Sequence, residues 1–234
     1  MTLKAIPLLA LVTALGGGCN ERSVENSPAT AGPGATHERS TGSEHRFPDP
    51  QTYADRLDDP ERDDWQMPAE VVEHLDCGSG MTVVDLGAGT GYFVPYLSEA
   101  VGPQGRVLAL DTDRSMVDTM YARIEREGLR NVKPGMITAD DPALTPRSVD
   151  RILVVNTWHH IADRVEYAGK LLAALGPGGL LLIVDFTIES PHGPSPQMRL
   201  TSDTVRRELE AAGFETELVE EPLPHQYVVA GRLP

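Results

Sequence analysis

The sequence predicts an α/β fold: a doubly wound, mostly parallel seven-stranded sheet whose last strand runs antiparallel. Three observations carry this. From about Met81 short apolar runs alternate with longer amphipathic stretches, central runs such as Ile152-Leu153-Val154-Val155 are apolar at every position, and the chain closes on two strand-like runs joined by the short link Glu220 to His225. Alternating strands and helices imply βαβ units. Continuous apolar runs suit strands covered on both faces. So short a link permits only an antiparallel pairing.

Taken in order, the apolar runs place strands at Thr82–Leu86, Arg106–Asp111, Val132–Thr138, Asp150–Asn156 and Leu180–Phe186. Helices are expected between them, near Tyr92–Val101, Arg114–Glu127 and Asp163–Leu175. A further helix with Ser202 or Asp203 as its cap follows. Strands at Thr216–Val219 and Gln226–Arg232 complete the sheet.

The first 50 residues differ in composition. Met1 to Lys4 carries one positive charge, Ala5 to Leu15 is apolar apart from Pro7 and Thr13, and three glycines lead into Cys19. A basic start, a short apolar run and small residues mark an export signal, and the run falls short of the ~20 apolar residues that span a bilayer. With a cysteine directly after the small residues, the segment resembles a bacterial lipoprotein signal, which implies lipidation of Cys19. Gly16 departs from that pattern, which usually has a branched aliphatic residue there. Residues 20–50, rich in Ser, Thr, Gly, Pro and Glu, cannot bury enough surface to offset their ordering and read as a flexible tether. The expected organisation is a signal over 1–18, a tether over 19–50 and one domain over 51–234. That domain divides into an N-terminal lid (51–80), a core (81–186) and a closing part (187–234).

The 20 basic and 35 acidic side chains give a net charge of −15, and 16 and 30 of them fall in residues 51–234. The acidity belongs to the domain, not to a tail. Binding to phosphate backbones needs clustered cations, so a nucleic-acid partner is not expected. Adhesion to anionic lipid is disfavoured for the same reason. The two cysteines and seven histidines show no metal-ligand spacing, so no metal is predicted. Cys77 reads as a small, partly buried residue rather than a nucleophile.

The most informative stretch is Val83-Val84-Asp85-Leu86-Gly87-Ala88-Gly89-Thr90-Gly91-Tyr92-Phe93. A strand that runs into glycines and then a helix lets backbone approach a ligand at the strand's carboxyl end, where open α/β sheets bind ligands. The glycines fall as G-x-G-x-G, not as the dinucleotide pattern G-x-G-x-x-G. An acid just before them suits a cation better than a pyrophosphate.

This stretch resembles motif I of class I S-adenosylmethionine-dependent methyltransferases, and the order of elements over residues 70–234 is similar too. The resemblance implies S-adenosyl-L-methionine as cofactor, with Gly87, Ala88, Gly89 and Gly91 wrapping its methionine end and Asp85 near its ammonium. Asp111, 20 residues after Gly91, is placed to accept from the ribose hydroxyls, with Thr112 beside it. Asp140 matches the position that bonds the adenine amino group, Met116 one that packs on the ring, and Asn156 one that touches the methionine end.

Methyl transfer from a sulfonium is an in-line displacement, so alignment and exclusion of water matter most. A general base is needed only when the acceptor arrives protonated. His159 and His160, in Asn156-Thr157-Trp158-His159-His160-Ile161, are candidate bases; the other reading is that they pack and hydrogen-bond the loop. Trp65, Trp158, His192 and Tyr227 are candidates for the acceptor side or its lid. The expected function is methyl transfer to a small-molecule or lipid-like acceptor, the alternatives being a non-catalytic cofactor-binding module and an NAD-dependent oxidoreductase. The expected location is the periplasmic face of a bacterial membrane, attached only through Cys19. A cytoplasmic location is the alternative, since a charged cofactor made in the cytosol must reach the domain.

Overall fold

The computed structural model describes residues 58–220 and 223–234. The expected signal, the tether with Cys19, and residues 51–57 of the expected lid lie outside the described residues. The described chain opens with two short helices, α1 (Arg62–Gln66) and α2 (Pro68–His74), separated by Met67 in the left-handed region (φ 46°). Then follow β1 (Thr82–Leu86), α3 (Val94–Val101), β2 (Arg106–Asp111), α4 (Arg114–Glu127), β3 (Val132–Met136) and β4 (Val149–Val155). A 3-10 turn (Trp158–His160), α5 (Arg164–Ala174), β5 (Leu175–Phe186), α6 (Ser202–Ala211), β6 (Glu215–Val219) and β7 (Gln226–Arg232) complete it.

The seven strands form one sheet in the order β3-β2-β1-β4-β5-β7-β6. β1 to β5 pair in parallel, and β7 lies antiparallel to both β5 and β6, as the short closing link predicts. The continuous apolar runs are explained by burial on both faces. In β4, Ile152 and Val154 pack with Tyr167, Leu171, Val205 and Leu209 from α5 and α6. Leu153 and Val155 pack on the opposite face with Val71 of α2, Leu75 just after it, and Leu97 and Val101 of α3. At about 1.5–3 kcal/mol per fully buried aliphatic side chain, such two-sided strands supply most of the core's favourable free energy.

Several boundaries differ from the sequence reading. β3 stops at Met136 rather than Thr138, because Thr138 turns back to bridge Asp141. α3 begins at Val94, since Gly91 donates to the Ala88 carbonyl and the turn extends two residues further. β5 begins at Leu175, which pairs with Val149 before the glycines and proline of 176–179 shift the register to Arg151↔Leu180. The cap of α6 is Thr201, whose hydroxyl accepts from the Thr204 amide, not Ser202 or Asp203. Among the described residues no helix is long and apolar enough to cross a membrane.

Candidate functional site

The glycine turn stands at the carboxyl end of β1 and is fastened to its neighbours. Gly87 and Ala88 both donate to the Leu110 carbonyl at the end of β2, at 2.8 and 3.0 Å. Gly87, Gly89 and Gly91 all have positive φ (73°, 57° and 82°), a region that L side chains adopt only with strain. At Gly87 space is also limiting: a Cβ there would lie 2.3 Å from Thr157 Oγ1. Arg123 of α4 donates to the Gly91 carbonyl at 3.0 Å and pairs with Asp58 at 2.7 Å, bracing the outer side of the turn.

Two acids flank this turn and are held differently. Asp111 receives the Gly89 amide on Oδ2 (2.8 Å) and the Asp113 amide on Oδ1 (2.9 Å). Burial raises its pKa, against which the amides of Asp113, Gly89 and Thr112 act to lower it. Asp85 is 2% exposed, and its Oδ2 has no hydrogen-bond partner. Burial, reinforced by the Asp111 charge and opposed by Arg62, pushes its pKa up to about 7. A buried carboxylate oxygen without a donor costs free energy unless something supplies one. A cationic ligand group beside the turn would do so.

The other expected cofactor residues are distributed around this edge. Met116 is buried in the first turn of α4, and Thr112 is exposed on the link before it. Asp140 lies on an exposed turn, where its carboxylate accepts from the Thr138 hydroxyl (2.7 Å), which lowers its pKa. Asn156, at the carboxyl end of β4, has a positive φ of 54°. Its side chain belongs to a closed ring of three amides: Gln66 donates to Gln226 (2.6 Å), Gln226 to Asn156 (2.7 Å) and Asn156 back to Gln66 (3.2 Å). This ring ties α1 to the ends of β4 and β7.

His159 is placed by an acid that the sequence reading missed. Its Nδ1 lies 2.9 Å from both oxygens of Asp185, with the two side chains 2% and 3% exposed. Asp185 also accepts from the Phe186 amide at 2.8 Å. Directly opposite Asp185 in the β5–β7 ladder is Tyr227, 8% exposed, whose hydroxyl has no hydrogen-bond partner. Burial, and then the charges of Asp185 and Glu208, push its pKa up. The His160 ring is 4.2 Å from that of His159, centre to centre, but its residue is exposed.

Trp158 corrects the sequence reading. It is fully buried and donates through Nε1 to Glu208 of α6 at 2.9 Å, with Arg164 completing the group at 2.8 Å from the same carboxylate. It anchors the loop to the helical layer and does not line the acceptor side, because an apolar ring with a single donor is satisfied there completely. Trp65 and His192 do meet: their rings stack at 4.6 Å and 10°, with Phe186 5.9 Å from Trp65 and His225 5.1 Å from His192. Thus residues 58–67 and the 187–200 segment close on each other at the carboxyl end of β5.

Arg62, Gln66, Asp185 and Gln226 were missed because each is a lone polar residue in a charged run or at a strand end. The available signal was position: Asp185 stands at the carboxyl end of an apolar strand, one residue before its last, as Asp85 does. Cys77 is a partly buried free cysteine, and burial pushes its thiol up to about 11, which disfavours the thiolate. Among the described residues no group of three or more His, Cys, Asp or Glu side chains could hold a metal.

The model of a family described as a methyltransferase domain matches residues 83–179. An S-adenosylmethionine-dependent methyltransferase of Aquifex aeolicus has the same fold, with TM-score 0.75 and 30% identity, covering 80% of this chain and 99% of that one. The ubiquinone/menaquinone biosynthesis C-methyltransferase UbiE of Pasteurella multocida is 30% identical over 48% of this chain and 44% of its own length. The methyltransferase GfsG of Streptomyces halstedii is 27% identical over 61% and 49%. The matches thus span less than half the length of these two curated relatives. A glycine cradle that excludes a Cβ and a buried acid awaiting a cation fit the cofactor of that family, S-adenosyl-L-methionine. The chain belongs to the class I S-adenosylmethionine-dependent methyltransferases.

Proposed function

We propose that the chain transfers a methyl group from S-adenosyl-L-methionine to a small apolar or lipid-like acceptor. When bound, the cofactor supplies an electrophilic methyl on a sulfonium. The protein's share is to hold that end between the glycine turn and Asp85 and to keep water from the acceptor side. The observation that carries the acceptor class is the aromatic group of Trp65, His192, Phe186 and His225, contributed by three separated stretches. Flat, weakly polar rings at the carboxyl edge of the sheet suit an apolar or aromatic acceptor. Relatives named for ubiquinone/menaquinone biosynthesis and for demethylmenaquinone methylation support the same class. The net charge of −15 argues against nucleic acid.

Asp185 faces Nδ1 of His159 at 2.9 Å, so a neutral ring that donates there presents Nε2 as an acceptor. That is the form a general base requires for an acceptor that arrives as a phenol or enol. The test is incubation of the purified chain with methyl-tritiated cofactor and a panel holding demethylmenaquinol, substituted phenols, a short peptide and RNA. Label extracted into organic solvent with the quinol or phenols is the expected result. Label in peptide or RNA alone would overturn the acceptor class. Tight cofactor binding with no transfer to any member, nor to cell-envelope extract, would favour the binding-module reading.

A further inference from the structure

One guanidinium organises the stretch between β5 and α6. Arg199 directly follows a 3-10 turn (Pro196–Met198) and donates to five main-chain carbonyls within residues 187–194: Nε to Pro194 (2.9 Å), Nη1 to Thr187 (3.2 Å), Ile188 (2.8 Å) and Ser190 (2.6 Å), and Nη2 to His192 (2.9 Å). None of these five acceptors is a carboxylate. Carbonyls turned into a loop outside any helix or sheet ladder need donors from elsewhere, and a planar fork of N–H groups supplies them together. The stretch is closed further by Ser190, a buried residue whose hydroxyl accepts from the His192 amide at 3.1 Å. Its start is fastened to the closing strands, since the Thr187 amide donates to the His225 carbonyl at 3.1 Å.

The result is a segment held as one piece, and two of its residues meet the aromatic group. Gly193 lies on Phe186: its φ of 86° suits glycine, and a Cβ there would stand 2.4 Å from the Phe186 ring. The residue before it, His192, stacks on Trp65 of α1 at 4.6 Å and 10°. The His192 carbonyl is itself one of the five that Arg199 holds. The guanidinium therefore governs where the His192 ring stands through that residue's own backbone. We propose that Arg199 is a positioning residue for the acceptor: it fixes His192 against Trp65 and thereby sets how tightly the acceptor binds. This rests on the acceptor side proposed above and not on the cofactor. Arginine suits the task where lysine does not, because a guanidinium aims separate donors across a plane whereas an ammonium is a point charge.

The full chain carries two tryptophans, and they separate a local effect from a global one. Acrylamide quenching of Trp65 reads the stack, and a Trp65→Phe background reports the fully buried Trp158 alone. Arg199→Gln is expected to open Trp65 to the quencher while Trp158, and the affinity for S-adenosylmethionine in calorimetry, stay unchanged. With demethylmenaquinol as acceptor, the same variant is expected to raise KM about 10-fold with kcat little changed, the pattern of lost uniform binding. His192→Ala should raise KM to the same extent and the double variant no further, since the two residues act in series. Unchanged Trp65 quenching in Arg199→Gln would overturn the assignment, as would additive effects of the two substitutions or a fall in kcat with KM kept. Opening of Trp158 as well would also overturn it, because Arg199 would then hold the fold rather than the segment. Absence of transfer to demethylmenaquinol by the wild type counts against the proposed function alone, and the quenching measurement still decides whether Arg199 places His192.

Discussion

Asp85 offers a test in which pH and mutation must agree. Its pKa rises from 3.8 to about 7, with burial as the first cause. That rise amounts to roughly 4 kcal/mol against the ionised form in the folded chain. Between about pH 4 and pH 7 the folded state holds a proton that the unfolded state has released. Stability from this group is therefore fully present below the unfolded pKa and is lost as pH rises through about 7. Asp85→Asn removes the titration while keeping the shape. It introduces an amide whose N–H groups lack a partner where Oδ2 now stands, at a cost of about 1–3 kcal/mol. At pH 8 the variant is expected to be more stable than wild type by about 2 kcal/mol, roughly 4–8 °C in Tm for a domain of this size. Between pH 5 and pH 8 the difference between the two proteins is expected to change by roughly 3 kcal/mol, since the titration spans about two pH units above pH 5. Urea denaturation at the two pH values measures both quantities. The same substitution is expected to weaken S-adenosylmethionine, whose affinity for the wild type should strengthen as pH rises through about 7. A stability difference independent of pH would refute the reasoning, because the carboxyl would then not be shifted by its burial.

Three further outcomes follow from other parts of the structure and sequence. Asp111→Ala removes the acceptor of the Gly89 and Asp113 amides as well as the expected ribose contact; cofactor affinity by calorimetry should fall by about 1.5–3 kcal/mol. Glu208→Ala strands the Trp158 indole N–H and the Arg164 guanidinium; denaturation should show a loss of about 2–3 kcal/mol with cofactor affinity unchanged. We also propose export through residues 1–18 with lipidation at Cys19; fractionation with mass spectrometry of the mature N-terminus should find a lipidated Cys19 in the membrane fraction, and intact Met1 in the cytosol would reject it.

The central strands β1, β4, β5 and β7 were legible because their burial is two-sided, and so each leaves a run with no period to misread. Boundaries were less so: the extension of β5 back to Leu175 depends on glycines and a proline that read as a loop, yet Leu175 still pairs with Val149. The glycine turn and its flanking acids were legible because backbone geometry and charge both constrain their spacing. The amide ring was not, because Gln66, Asn156 and Gln226 lie 70 to 160 residues apart and carry no periodic signal. Trp158 misled for a related reason. A tryptophan in a site loop is equally compatible with a pocket wall or a core anchor, and only Glu208, 50 residues on, decides for the anchor.

A single physical comparison joins these residues. Asp111 ends β2, and Asp85 and Asp185 each stand one residue before the end of β1 and β5, so the carboxyl edge of the sheet gathers acidic groups in a nearly dry setting. Asp111 is compensated by backbone amides and Asp185 by His159 and the Phe186 amide. Asp85 keeps one oxygen without a donor, and it is the acid two residues before Gly87, where an added Cβ would run into Thr157. Internal compensation at two acids and its absence at the third support the proposal that the cofactor's ammonium sits beside Asp85.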